Sequence, residues 1–407
     1  AQALRAPGGA APSPSPRWPR ARGAMEEDVL GGHSGDEVAA VLAMGNNADG
    51  QLGVGIAEDG EDQLFEPCLV GALAQLGVVS VAAALKHSVW LTKDGVVYTA
   101  GDNDEGQLGR AGKRSKPFKV DAIEHLPLED VAAGDGFTVM AARLDGRLLG
   151  VGRGERGQLG MGGADREHKE KVRFSSALGE EQLLALTAGE AHCAALCRSG
   201  RVLAFGENKH GQLGLGDFVS SATPKPVPAL QRRPVVQLCC GASHTLARTA
   251  TGLLWAWGCN EQGQLGLNSL EDSGDGRVDL PGPAVGVAAG ASHSLFLLAT
   301  GQPYAAGDNW RLQLGPGVTG FRRAELVRNS LGKVVAVMAE GHISVFMRAD
   351  GWSWTNLPFA RGGSLLSQRF AAGDGMRRTR DLLPEQPLLT LGMRLARMLR
   401  SERRGKT

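Results

Sequence analysis

Residues 241–266 read GASHTLARTATGLLWAWGCNEQGQLG, and this stretch decides the architecture of the chain. Gly241 stands three residues before His244, Thr251-Gly252 separates two apolar runs, and the segment ends on Gly258 and the loop closing at Gln264-Leu265-Gly266. A residue-glycine pair between apolar runs is a hairpin signal, because a two-residue turn needs the positive φ that glycine adopts without strain. After the second run a polar loop reverses the chain. Its glycines permit left-handed backbone, and its leucine is free to anchor the loop against a core.

The same unit recurs along the chain. Apart from a copy at Gln75 that falls outside the repeat spacing, Gln-Leu-Gly stands at Gln51, Gln107, Gln158, Gln212, Gln264 and Gln313, at intervals of 56, 51, 54, 52 and 49 residues. Six residues before each Gln lies Gly45, Gly101, Gly152, Gly206, Gly258 or Gly307. Six residues before five of those glycines lies a turn: Asp94-Gly95, Asp145-Gly146, Ser199-Gly200, Thr251-Gly252 and Thr300-Gly301, with Asp350-Gly351 as a sixth. Asparagines (Asn46, Asn103, Asn208, Asn260, Asn309) sit in the loops, and further strands such as Val79–Ala83 and Val235–Leu238 lie upstream. A unit of about 50 residues with four short strands is a propeller blade, and one blade cannot bury both its faces, so blades stack around an axis.

An outer-half signal is expected at Val79–His87, Asp130–Phe137, Leu184–His192, Val235–His244, Ala284–His293 and Val334–His342. A seventh, Phe370–Met376, copies Val131–Phe137, whereas the inner-half signal begins at Val38–Gly53 with nothing before it. The expected fold is therefore all-β: a seven-bladed β-propeller whose N- and C-terminal strands share one blade. Three segments follow: a flexible extension over 1–37, the propeller over 38–376, and a basic tail over 377–407.

Gly-x-x-His-(Ser/Thr) at Gly241–Thr245 and Gly290–Ser294, followed by the hairpin and Gly-x-Asn-x-x-Gly-Gln-Leu-Gly, resembles the regulator-of-chromosome-condensation family. The resemblance covers about Val38 to Met376. Phe137 and Met376 take the His slot, Leu312 replaces a loop glycine, and the unit at Trp352–Pro358 has lost Gln-Leu-Gly.

Composition bounds the function. Glycine makes up 59 of 407 residues, about twice the usual share, while 42% of residues are hydrophobic, so the glycine serves turns rather than disorder. The net charge is +1; residues 1–24 carry +4 and residues from Met376 onward carry +6, which leaves about −9 on the body between. An acidic body argues against a nucleic-acid clamp. The cysteines Cys68, Cys193, Cys197, Cys239, Cys240 and Cys259 form no CxxC pair and read as small buried hydrophobes of a reducing compartment. No apolar run is long enough to span a bilayer. The expected location is intracellular, cytoplasmic or nuclear, or mitochondrial if residues 1–24 are a presequence. Their prolines (Pro12, Pro14, Pro16, Pro19) favour instead an extension upstream of Met25.

Chemistry is sparse. His87, His192, His244 and His293 share one repeat position in separate blades and read as structural rings packing one blade on the next. Gly152–Gly157 matches GxGxxG literally, but it coincides with the repeat loop and opens no helix, so it is not a dinucleotide site. Trp90, Trp255, Trp257, Trp310, Trp352 and Trp354 read as core or loop residues; the repeated Gly-Trp-Arg-His-Thr motif of the fold's plant UV-B photoreceptor is absent. No catalytic, cofactor-binding or metal-binding residue is assigned, and no cofactor is expected.

The acidic run Glu58–Asp62 reads as a solvated loop. In the tail, Leu388, Leu391, Leu395, Met398 and Leu399 keep helical spacing beside Arg394, Arg397, Arg400 and Arg403. That basic amphipathic helix suits a partner groove, an anionic surface, RNA, or packing beneath its own propeller. Two functions remain: a non-catalytic protein-interaction scaffold or subunit of a larger assembly, or, as the family resemblance implies, a guanine-nucleotide exchange factor for a small Ran-like GTPase. Repeat intervals of 49–56 residues leave little room for a projecting wedge, the nearest candidates being Gly55–Leu69 and Ser269–Pro281, and this favours the scaffold.

Overall fold

The computed structural model describes residues 41–55, 63–111, 115–163, 171–175, 178, 181–320, 322–348, 352–356 and 376–378. Among these residues every regular element is a β-strand or a one-turn 3-10 helix. The strands form seven antiparallel sheets, six of four strands and one of two. The fold is the seven-bladed β-propeller that the repeat implies.

Blade 5 shows how the quoted stretch folds. Its four strands are Val235–Cys240, His244–Thr249, Leu254–Gly258 and Ser273–Val278, hydrogen-bonded in chain order. Gly252 takes φ +81° in the hairpin, and its amide donates to the carbonyl of Thr249. The register sets His244 opposite Gly258 and Thr245 opposite Trp257. A register shift between Val235 and Gln237 recurs near the start of the first strand in the other four-stranded blades. Such bulges add twist to a sheet.

Blades 2, 3, 4, 6 and 7 repeat this plan over residues 78–119, 128–174, 183–226, 284–328 and 334–378. First strands of neighbouring blades pack against one another, so they line the axis. The half-blade expected outermost, Val79–His87 and its equivalents, is therefore the inner half. Sequence periodicity carries strand order but not the radial direction.

The C-terminal expectation also changes. Met376–Arg378 pairs with Trp352–Thr355 as the fourth strand of blade 7, so Met376 does not occupy the His slot of a first blade. Without that pairing the outer edge of Trp352–Thr355 would expose unpaired backbone groups. Blade 1 is described only through Leu42–Asn46 and Gln63–Leu69, the equivalents of third and fourth strands. Its expected other half, Phe370–Gly375, lies outside the described residues, as do the extension 1–37, the acidic run Glu58–Asp62 and the helix expected over 388–404.

The core lies between the blades. Second strands such as His87–Thr92, Phe137–Ala142 and His244–Thr249 are buried at every position, because they face a neighbouring sheet on each side. Val89 and Leu91 of blade 2 meet Val131, Met140 and Leu149 of blade 3 in one cluster. Phe205, Trp257, Phe296 and Phe346 fill corresponding interfaces with no exposed surface. Truncating such a ring to alanine costs about 3–5 kcal/mol.

Candidate functional site

The repeat histidines are not a reaction centre. Each imidazole reaches into the next blade: His87 Nε2 meets Thr138 Oγ1 at 3.0 Å, His192 meets Thr245 at 2.9 Å, His244 meets Ser294 at 3.0 Å and His293 meets Ser344 at 2.7 Å. Each hydroxyl spends its proton on a main-chain carbonyl of the first blade's loop: Gln107 at 2.8 Å, Gln212 at 2.9 Å, Gln264 at 2.6 Å and Gln313 at 2.6 Å. The hydroxyl must then accept from Nε2–H, which fixes the neutral tautomer. Burial pushes the imidazoles down, to about 4 for His87 and His192 and about 3 for His244 and His293.

Nδ1 of each ring has no hydrogen-bond partner. In three of the four blades the ring rests against the glycine of Gly-x-x-His; at Gly241 a methyl would overlap both the His244 ring and the carbonyl of Gly290 in the next blade. Blade 3 departs from this pattern with compensation. Phe137 fills the ring slot, and the matching hydroxyl position in blade 4 is Cys193, whose thiol points to Gln158 O at 3.5 Å. In blade 7 Ile343, next to His342, takes the slot.

The recurring loops are scaffolding as well. In blade 5 the Asn260 side chain accepts from Leu265 N and donates to Ser269 O, while Gln264 Oε1 accepts from Gln262 N. Leu108, Leu159, Leu213, Leu265 and Leu314 are all buried, so the loop leucine is an anchor. In blade 1 the latch is Asn47 rather than the expected Asn46: Asn47 Oδ1 accepts from Leu52 N. Leu312 holds φ +61° where the other loops place glycine.

What varies is presented outward on two faces. Turns between first and second strands and loops between third and fourth strands share one face; the hairpins and the links between blades share the other. The loop face carries Asp49, Asp102, Asp104, Glu105, Asp135, Glu155, Glu190, Glu207, Asp217, Glu261, Glu271 and Asp272 against Lys86, Arg110, Lys116, Arg153, Arg156, Lys171, Lys209 and Arg311. The hairpin face leans the other way, with Arg198, Arg201, Arg232, Arg233 and Lys333 against Glu181 and Asp279 over blades 4–7. Over blades 4–6 the loop face also exposes Phe218 (57%), Val219 (64%), Leu270 (40%), Trp310 (69%) and Leu312 (40%). Large apolar side chains exposed together with charged ones on a single face are candidates for an interaction site.

A family model, RCC1-like domain, matches residues 40–356. The chain belongs to the RCC1-like domain family. Among curated relatives, the probable E3 ubiquitin-protein ligase HERC3 of Homo sapiens is 34% identical over 230 residues, 56% of this chain and 21% of that protein. The ultraviolet-B receptor UVR8 of Arabidopsis thaliana is 34% identical over 236 residues, 57% of this chain and 52% of the receptor. The chain thus spans about a fifth of the ligase and half of the receptor. Among solved structures, Prp20p of Saccharomyces cerevisiae, studied for its binding to Gsp1p and histones, aligns with TM-score 0.69 and 24% identity over 78% of this chain and 81% of its own. Human WBSCR16 aligns with TM-score 0.70 and 20% identity over 78% and 89%. Both likenesses bear on fold alone.

Within this RCC1-like domain the tryptophans are dispersed. Trp90, Trp257 and Trp354 are buried in separate interblade clusters, Trp255 is half-buried beneath the Arg233 guanidinium at 4.6 Å, and Trp310 stands in a loop. Gly152 and Gly157 bracket the blade 3 loop with φ +98° and +81°, and that loop runs into Gln158 without starting a helix. The six cysteines are free thiols; Cys193 and Cys197 are buried as expected, but Cys68, Cys239, Cys240 and Cys259 are only half-buried. One grouping escaped sequence reading. His210, Cys259 and Asp272 come together between blades 4 and 5, although separations of 49 and 13 residues form no recognisable ligand motif.

Proposed function

We propose that this RCC1-like propeller is a non-catalytic protein-interaction module, alone or within a larger assembly, and that the loops of blades 4–6 take its partner. The observation that carries this reading is the exposed arc Phe218, Val219, Leu270 and Trp310 set among acids on one face. Large apolar side chains supply binding energy once desolvated, and surrounding charge steers approach and selects partners. An acidic rim favours a partner with a basic surface. The free cysteines fit a reducing, intracellular setting.

The test is affinity capture from native extract with the whole chain and with a Phe218→Ser/Leu270→Ser/Trp310→Ala variant. The reading expects one set of proteins to be lost with the variant while its melting temperature stays put. Equal capture by both chains would refute it.

Guanine-nucleotide exchange is the second reading, supported by the shared fold with Prp20p and its described binding to Gsp1p. Exchange needs only preferential binding of the nucleotide-free GTPase, so absence of an acid-base pair does not oppose it. Against it, the two long links hold ordinary fourth strands, Gln63–Leu69 and Ser273–Val278, which leaves little chain for a wedge. Accelerated release of labelled GDP from any member of a small-GTPase panel would reverse this preference.

A further inference from the structure

Two repeat positions close neighbouring blades across the loop face: the residue before the loop glycine, and the residue after the third-strand glycine of the next blade. Between blades 2 and 3 these are Glu105 and Arg153, an ion pair at 3.4 Å; between blades 3 and 4 they are Arg156 and Glu207, at 3.2 Å. Between blades 4 and 5 the same positions hold His210 and Cys259. Asp272, immediately before the fourth strand of blade 5, joins them, and the three donor atoms all lie within 4.8 Å of one another, each residue half-buried.

The aspartate is oriented for more than its local duty. Asp272 Oδ1 accepts from Asn260 N at 2.8 Å, the job Ser220 Oγ does for Asn208 N in blade 4 at 3.1 Å. The second oxygen, Oδ2, is thereby aimed at His210 Nδ1, 2.6 Å away. Cys259 is held by its own amide, which donates to Ser243 O at 2.8 Å. We propose that His210, Cys259 and Asp272 form a binding site for a borderline divalent cation of the zinc type, linking blade 4 to blade 5 where the blade 2–3 and blade 3–4 junctions use an ion pair.

The donor chemistry fits: thiolate, imidazole and carboxylate are the zinc ligand set, with bonds of about 2.0–2.3 Å, and a water completes the tetrahedron. Separations up to 4.8 Å must shrink, which side-chain rotation on these surface loops supplies. Binding replaces the His210–Asp272 hydrogen bond by metal bonds: the neutral imidazole carries its one proton on the ring nitrogen that does not meet the metal, and the other nitrogen gives its lone pair. Cys259 gives up its thiol proton to solvent and keeps the electron pair for the metal. Burial and the neighbouring Asp272 and Glu261 hold that thiol above its ordinary range, so affinity rises with pH.

The whole chain, freed of metal and kept reduced, is titrated with Co2+ and then competed with Zn2+. One equivalent with a thiolate-to-cobalt charge-transfer band is expected. That band disappears in Cys259→Ser, and affinity falls about 10-fold or more in Asp272→Asn and His210→Ala. Zn2+ should also raise the melting temperature of the wild type but not of Cys259→Ser, a readout that first verifies the variant is folded. Absence of the band in wild type, or its persistence in folded Cys259→Ser, overturns the site.

Discussion

The girdle of histidine–hydroxyl contacts that joins second strands of neighbouring blades and the loop arc of blades 4–6 are made from one repeat and used in opposite ways. In the girdle the repeating Nε2, hydroxyl and glycine positions have repeating duties: ring to hydroxyl, hydroxyl to carbonyl, glycine beneath the ring. In the arc the repeating atoms (Asn208, Gln212, Asn260, Gln264) are spent inside the loops; the exposed Phe218 and Leu270 share one repeat position, four residues after the glycine of Gln-Leu-Gly, whereas Trp310 has no apolar counterpart in the other two loops. In this chain the repeated atoms that turn inward hold the wheel together, and the apolar side chains that the same loops turn outward are available to a partner.

Glycine substitutions separate the two regions most strongly. Gly241→Ala drives a methyl into the His244 ring and the Gly290 carbonyl, so a loss above about 4 kcal/mol or failure to fold is expected. Gly216→Ala in the arc has φ +80° but open space, and should cost only about 1–2 kcal/mol. Urea unfolding compares them; equal losses would erase the contrast.

Acid should act through the girdle. Its imidazoles are neutral in the fold, with values near 4 and 3, while an unfolded histidine titrates near 6.5. Below about pH 6.5 the unfolded chain takes up protons that the native chain refuses, so stability falls as pH drops towards 4 and 3. Copying the blade 3 solution by His244→Phe/Ser294→Cys should flatten that slope by up to about 1.4 kcal/mol per pH unit. An unchanged slope would mean His244 is protonated in the fold.

The same pair supports a cycle at neutral pH. His244→Phe and Ser294→Cys each leave half of a linked pair, so the double variant should be about 1 kcal/mol more stable than additivity predicts. Strict additivity would deny that Phe137 and Cys193 compensate each other. At the small end, Trp310→Ala should change stability by no more than about 0.5 kcal/mol while weakening partner capture. A large melting shift would move Trp310 into the structural class.

Much of the wheel was legible because its constraints are local and repeated. Asp94-Gly95 and its equivalents announce hairpins, Gln-Leu-Gly announces an anchored loop, and His-Thr or His-Ser announces a blade contact. Radial direction was not legible, since a sheet read from either edge has the same period. The fate of Met376 was misread because Phe370–Met376 copies Val131–Phe137 in residue type, whereas pairing is decided by which strand edge is open, here that of Trp352–Thr355. Two asparagines adjoin in blade 1, and only the hydrogen bond from Leu52 N distinguishes Asn47 as the latch from Asn46. The loop arc and the His210–Cys259–Asp272 group were not legible for a shared reason: both depend on which loop side chains turn outward or towards the next blade, which the repeat period does not specify.

Hydrogen exchange of the chain alone and in its captured complex tests most directly whether the irregular loops, not the girdle or the hairpins, meet the partner. Protection is expected over residues 207–220, 259–272 and 309–320, with the amides of 93–96, 143–147 and 198–201 unchanged. Protection confined to those hairpin segments would contradict the account.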